Sequence, residues 1–190
     1  MNLLVLGPQG AGKGTQAKRV AAEYTIPHVS TGDMFRAAIA ADSELGRRVA
    51  PILAAGELVP DDLTVALIEE RLSAPDAAGG FVLDGFPRNL VQAEALDAML
   101  SRVERELDAI LFFDLPDGVA TERLRGRALE ENRPDDTADV IARRLAIYHA
   151  ETEPIVEHYR ATGKLVPVQA DGTVEEVWRQ IQSALELVVS

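Results

Sequence analysis

The stretch GPQGAGKGT at residues 7–15 follows directly on NLLVL at residues 2–6 and runs into QAKRVAAEY at residues 16–24. The apolar run stops at a glycine-rich turn. Behind it Ala17, Val20, Ala21 and Tyr24 make a three-and-four-spaced stripe, so the order reads strand, loop, helix. Glycines at 7, 10, 12 and 14 let the backbone turn so that successive N–H groups converge, and the helix dipole behind them adds positive potential. Lys13 contributes a mobile charge. Such a loop suits phosphate. The general pattern G-x-x-x-x-G-K-[ST] sets a hydroxyl directly after the lysine. Here Gly14 takes that place and the hydroxyl comes one residue later, at Thr15. The glycines alone read equally as a turn without a ligand; the strand before, the helix behind and the Gly12-Lys13 pair favour phosphate.

The chain has 190 residues, no cysteine and a net charge of −12. That length suits one domain with small appended lobes, burying roughly 70% of the unfolded surface. The absence of cysteine excludes disulfides, thiol catalysis and cysteine-type zinc sites, and it fits a reducing compartment. The acidic excess argues against nucleic acid or anionic membranes as partners. MNLLVLGPQG lacks a basic leader region, and no apolar run nears the ~20 residues of a membrane span. A soluble, cytoplasmic protein is expected.

Further strands are expected at residues 81–83, 109–113 and 165–168, with a weaker one at 28–29. Pro167 marks the last as an edge strand. Two more stripes are helical: Ile141, Leu145, Tyr148, Thr152, Ile155 and Tyr159, with a kink at Pro154, and Val174, Val177, Ile181, Leu185 and Val188. Continuous apolar strands alternating with helices imply an α/β fold, a parallel sheet covered on both faces. Residues 30–59, and the charged break at 128–136 between two helices, interrupt the alternation as candidate ligand-binding lobes.

Phe81-Val82-Leu83-Asp84 ends an apolar strand in a carboxylate. Alone, Asp84 reads as a turn cap; beside a phosphate loop it is placed to manage magnesium. Arg36, Arg88, Arg123, Arg127, Arg133, Arg143 and Arg144 fall at loops and helix ends of an acidic chain. Any one of them reads as a solvated partner of a glutamate, but the set can hold phosphates. His28, His149 and His158 have no ligand spacing and read as structural. The acidic residues at 104–108 and 130–131 read as solvated faces.

These pieces together resemble the adenylate kinase family over essentially the whole chain. The likeness rests on GPQGAGKGT at 7–15, STGDMFR at 30–36, GELV at 56–59, DGFPRN at 84–89, Gln92, Arg123 and Arg127, NRPDD at 132–136, Arg143-Arg144 and ADGT at 170–173. The resemblance implies a phosphate-loop, three-layer α/β/α core with a five-stranded parallel sheet. One domain over 1–190 would carry a monophosphate-binding lobe at 30–59 and a short lid at 126–136. Gly10, Ala11, Gly12, Lys13, Gly14, Thr15, Arg127 and Gly172 would bind ATP. Thr31, Arg36, Glu57, Leu58, Val59, Gly85, Phe86, Pro87, Arg88, Gln92, Arg133 and Arg144 would bind AMP. Lys13, Arg88, Arg123, Arg127, Arg133 and Arg144 would be catalytic, Arg123 and Arg127 at the transferring phosphoryl. Mg²⁺ would come with ATP, Asp84 holding it through water and not Thr15 directly. Zinc is not expected, because 128–132 leave no room between Arg127 and Arg133 for a long lid. ATP, AMP and ADP are the implied partners of a monomer, with two ADP formed from ATP and AMP.

Gln9 stands where the family often carries proline. Uridylate/cytidylate kinases resemble the chain almost as closely but tend to have alanine at the place of Thr31 and asparagine at that of Gln92. A glutamine amide can donate to N1 and accept from the 6-amino group of adenine, which favours AMP. A nucleotide-dependent switch is the alternative of another class. Asn132-Arg133-Pro134-Asp135 approaches the guanine-reading N-K-x-D but lacks its lysine and follows no strand. A small-molecule kinase on the same core is a further alternative.

Overall fold

All five residues of β1 (Asn2–Leu6) are buried, and its side chains divide between two cores. Leu3 and Val5 enter one and Leu4 and Leu6 the other, the period of two that a strand covered on both faces requires. β3 (Phe81–Asp84) and β4 (Ala109–Asp114) flank β1 in parallel and alternate in the same way: Val82 and Leu111 join Leu3, and Leu83 and Ile110 join Leu4. Each of these aliphatic side chains, at most 1% exposed, stabilises the fold by roughly 2 kcal/mol. β2 (His28–Ser30) lies outside β3, and β5 (Leu165–Gln169) outside β4. The order is β2-β3-β1-β4-β5, all parallel. The five-stranded sheet is as expected, and its edge accommodates Pro167.

In this computed structural model the described residues are 1–130 and 137–189. Helices α1 (Lys13–Tyr24), α6 (Asp117–Glu130), α7 (Ala138–Ile147) and α9 (Val174–Val189) supply the Leu3 core through Val20, Leu124, Ile141 and Ile181. Helices α4 (Asp61–Leu72), α5 (Leu90–Arg102) and α8 (Pro154–Arg160) supply the Leu4 core through Ile68, Leu96 and Ile155. The chain therefore leaves β1 over one face toward β2, and leaves β3 over the other face toward β4. Where adjacent strands send their connections opposite ways, a crevice opens at their carboxyl ends. Val5 is the register partner of Asp84, so that crevice lies between the glycine-rich loop and Asp84.

Residues 30–59 form α2 (Thr31–Ala40) and α3 (Glu44–Ala54) around a small core of Phe35, Val49 and Val59. Serines start both helices: Ser30 Oγ accepts from the Asp33 N–H and Ser43 Oγ from the Gly46 N–H. The two cross at Gly46, where a Cβ would stand 2.1 Å from the Ala38 carbonyl oxygen.

Three expectations need correction. The stripe from Ile141 to Tyr159 is not one proline-kinked helix: α7 passes into a π-helical turn, Tyr148–Thr152, before α8. The Glu153 N–H reaches the Tyr148 carbonyl at 2.8 Å, and Pro154, with no N–H to donate, begins the next helix. The break at 128–136 begins later than expected, since α6 continues through Glu130; residues 131–136, with Arg133, lie outside the described residues. Asp108 is no solvated acid, because its Oδ2 accepts from the Asn2 N–H at 2.6 Å and ties β4 to the start of β1.

Gly46→Ala forces the α2–α3 crossing apart and is expected to cost the lobe about 1–3 kcal/mol. Hydrogen exchange of residues 31–54 should accelerate while β1, β3 and β4 stay protected. Acceleration spread evenly over the chain would mean that the pair is not a separate cooperative unit.

Candidate active site

The loop after β1 packs its backbone on α6. Gly10 has φ 85°, and a Cβ there would stand 2.8 Å from the Ala120 carbonyl oxygen, so a side chain is excluded on both counts. Gly12 precedes α1 in a left-handed conformation, and the first helical bond runs from the Gln16 N–H to the Gly12 carbonyl at 3.1 Å. The amides of Lys13, Gly14 and Thr15 thus stand at the positive end of α1. Lys13 Nζ donates to the Gly7 and Pro8 carbonyls, each at 2.8 Å. Removal from water pushes its ammonium down to about 8; Asp84 works against this, and the charges of Arg88 and Arg127 add to it.

Asp84 ends β3 with its side chain 13% exposed. Burial alone would raise its carboxyl, but the His28 hydrogen bond and the charges of Lys13 and Arg88 outweigh it and hold the group below the usual carboxylate range. His28 Nε2 lies 3.4 Å from Asp84 Oδ2. A Cβ on Gly14 would stand 3.5 Å from the same oxygen, so the first turn of α1 and the carboxylate face each other. His28, read from sequence as structural, therefore touches the site. The signal is tertiary: Ser30 pairs with Asp84 only because β2 and β3 are neighbours.

Beyond β3, Thr31 Oγ1 donates to the Gly85 carbonyl at 2.8 Å, and Arg88 Nε donates to the same carbonyl at 2.9 Å. Buried Phe86 joins Pro87 through a cis peptide between them. Removal from water lowers the Arg88 pKa; Asp84 opposes that, and the like charges of Arg144 and Arg36 reinforce it. The backbone of Arg88 is gripped at both ends. Its N–H donates to Gln92 Oε1 at 2.8 Å, and its carbonyl accepts from Thr152 Oγ1, in the π-helical turn, at 2.7 Å. Gln92 Nε2 donates to Asp61 Oδ1 at 2.7 Å. Neither Thr152 nor Asp61 was singled out from the sequence as a site residue.

Arg36 pairs with Asp33 on its own helix. Glu57 pairs with Arg143, and Arg144 Nη2 donates to the Leu53 carbonyl at 3.3 Å, so α7 leans on the end of α3. Val59 belongs to the lobe core, while Leu58 is half-buried beside it. Arg123 and Arg127 share a helix but not surroundings. Arg127 acts electrically on Lys13, whereas Arg123 donates to the carbonyls of Ala170, Asp171 and Gly172 at 2.7, 3.2 and 3.2 Å. His149 bridges Asp117 and Glu153, and His158 pairs with Asp97. The crevice thus gathers cations around one ionised carboxylate, an arrangement that can bind and neutralise phosphates.

A family model described as adenylate kinase matches residues 5–164. An adenylate kinase of Caulobacter vibrioides is 49% identical over 190 residues, covering all of both chains. One from Stenotrophomonas maltophilia is 44% identical over 98% of this chain and all of its own length. One from Streptomyces coelicolor is 40% identical over 98% of this chain and 99% of its own. With a full-length likeness at this level and the crevice at the carboxyl ends of β1 and β3, the chain belongs to the adenylate kinase family.

Proposed function

We propose that this chain transfers a phosphoryl group reversibly from Mg·ATP to AMP, giving two ADP, as a cytoplasmic monomer that serves neither nucleic acid nor membrane. What carries the reading is the cluster of Lys13, Asp84 and Arg88, with the charges of Arg127, Arg144 and Arg36 acting on it. ATP phosphates would lie on the amides from Gly10 to Thr15, with Ala11 and Gly12 shaping the turn and Lys13 and Arg127 at the reacting end. AMP would lie between Thr31, Arg36, the 57–59 segment, the 85–88 turn and Gln92, with Arg144 closing from α7 and Arg133 from the lid.

The attacking atom is an AMP phosphate oxygen that is already anionic. Its bond to the γ-phosphorus forms as the bond from that phosphorus to the β-bridging oxygen breaks, and ADP leaves with that electron pair. No proton has to be removed by a strong base, so the residues act by positioning and charge neutralisation. Asp84 fits the magnesium that accompanies ATP, since it is ionised and faces the first turn of α1; it would hold the ion through water. When bound, that ion neutralises phosphate charge. Arg123 suits a supporting role at the rim of residues 170–172, where Gly172 would meet the adenine of ATP, better than one at the phosphoryl.

ADP formation with AMP, UMP, CMP or shikimate as acceptor tests the reaction; turnover with UMP or CMP but not AMP would reassign the substrate. Lys13→Met and Arg88→Ala should fold yet lose at least about a hundredfold in kcat/KM, and near-normal rates would remove their assigned roles.

The lysine also has a pH signature. Its folded pKa of about 8 lies below the ordinary lysine value of 10.5, so the folded protein binds fewer protons than the unfolded chain between them. The free protein therefore gains stability as pH rises through that window. Phosphate favours the ammonium, so ATP binding at about pH 8.5 should take up a proton. Calorimetry in buffers of different ionisation heat reads this directly, and equal heats in all buffers would deny the Lys13–phosphate contact.

A further inference from the structure

The side-chain amide of Gln92 lies between two partners of opposite hydrogen-bonding character. Its Oε1 accepts from the Arg88 N–H at 2.8 Å, and its Nε2 donates to Asp61 Oδ1 at 2.7 Å. Turning the amide over would set an NH₂ group against an N–H and an oxygen against a carboxylate. Both contacts repel, and Gln92 is only 2% exposed, so water cannot relieve them. Asp61 is itself fixed. The same Oδ1 accepts from Asn89 Nδ2 at 2.9 Å, while Asn89 Oδ1 caps α5 by accepting from the Gln92 N–H at 2.9 Å. Asn89 and Gln92, three apart at one helix start, are thus bound to the first residue of another helix.

An amide has two acceptor positions on oxygen and two hydrogens on nitrogen. With one of each taken internally, one acceptor and one donor remain, and the internal pair decides which end carries which. We propose that Asp61 is a positioning residue for base selection. Together with the Arg88 N–H it locks the Gln92 amide in the sense that meets the 6-amino group and N1 of adenine. The same sense opposes the 6-oxo group and N1–H of a 6-oxopurine monophosphate. This rests on the acceptor site proposed above, in which Gln92 meets the base.

The probe is inosine monophosphate, which differs from AMP only at position 6 and in the N1 proton. Steady-state rates with both acceptors are measured for the wild type, Asp61→Ala, Asp61→Asn and Gln92→Ala. Asp61→Ala should lose about tenfold in AMP-over-IMP selectivity, through a raised KM for AMP, with kcat and the KM for ATP within about twofold. Asp61→Asn, whose Oδ1 can still accept from Nε2, should keep the selectivity. Asp61→Ser, polar at the helix start but too short to reach Gln92, should behave like alanine and serves if alanine does not fold. Where IMP turns over too slowly, its inhibition constant against AMP replaces kcat/KM.

Wild-type selectivity in Asp61→Ala beside lost selectivity in Gln92→Ala would overturn the role of Asp61 and leave the acceptor site standing. Selectivity unmoved in both variants would remove Gln92 as the base reader. An equal loss on both acceptors with a lowered unfolding midpoint would make Asp61 structural only and overturn the proposal.

Discussion

The Asp84 carboxylate stands at the end of β3 with little of its side chain in water. A charge withdrawn from solvent without partners costs several kcal/mol or loses its ionisation. Here the penalty is offset from three separate places: His28 on β2, Lys13 at the start of α1, and Arg88 in the turn after β3. Arg88 is four residues from Asp84, but His28 and Lys13 are distant in the chain. They converge because β3 lies between β1 and β2, with Asp84 opposite Val5 on one side and Ser30 on the other. Any other strand order would take His28 and Lys13 away from the carboxylate and leave it only Arg88. Sheet topology and the charge state of the crevice are therefore one constraint.

The cations around Asp84 do not balance it; they exceed it. Arg88 has its pKa lowered by Arg144 and Arg36, and Lys13 has its own lowered by Arg88 and Arg127. Like charges so gathered repel one another, and the protein carries that cost within a chain of net charge −12. Rigid fixation keeps them from dispersing. Arg88 is held at its N–H, its Nε and its carbonyl, and Arg144 is held against the Leu53 carbonyl of α3. On the proposed reading, phosphate relieves this repulsion, so the site binds anions because it is strained without them.

The alternation of β1, β3 and β4 and the glycine-lysine loop were legible in the sequence because they depend on neighbours within a few residues. So was the edge position of β5, because proline carries its own geometric rule. The π-helical turn was not, since the 141–159 stripe keeps helical spacing through it and only the 2.8 Å bond from Glu153 to Tyr148 reveals the extra residue. The parting of Arg123 from Arg127 was hidden for another reason. Their spacing puts them on one face, but what each touches depends on where the 170–172 loop and Lys13 fall in space. Asp61 and Gln92 are 31 residues apart, and nothing in either stretch announces the other.

The late hydroxyl of the glycine-rich loop gains a physical meaning from this arrangement. A side chain directly after Lys13 would stand in van der Waals contact with Asp84 Oδ2, where glycine leaves open space. On the proposed reading that space belongs to water between the carboxylate and the ion accompanying ATP. Lys13 is equally constrained: of its three donors, two are occupied by the Gly7 and Pro8 carbonyls. On the proposed reading, one N–H remains for a phosphate oxygen, already oriented by the loop. A free lysine would lose side-chain entropy on reaching for the phosphate, and this one has lost most of it on folding. The same logic runs through Arg88 and Gln92, which are fixed by backbone and side-chain partners before any nucleotide arrives. Chemistry that needs no base depends on where charges stand, and here folding sets those positions in advance.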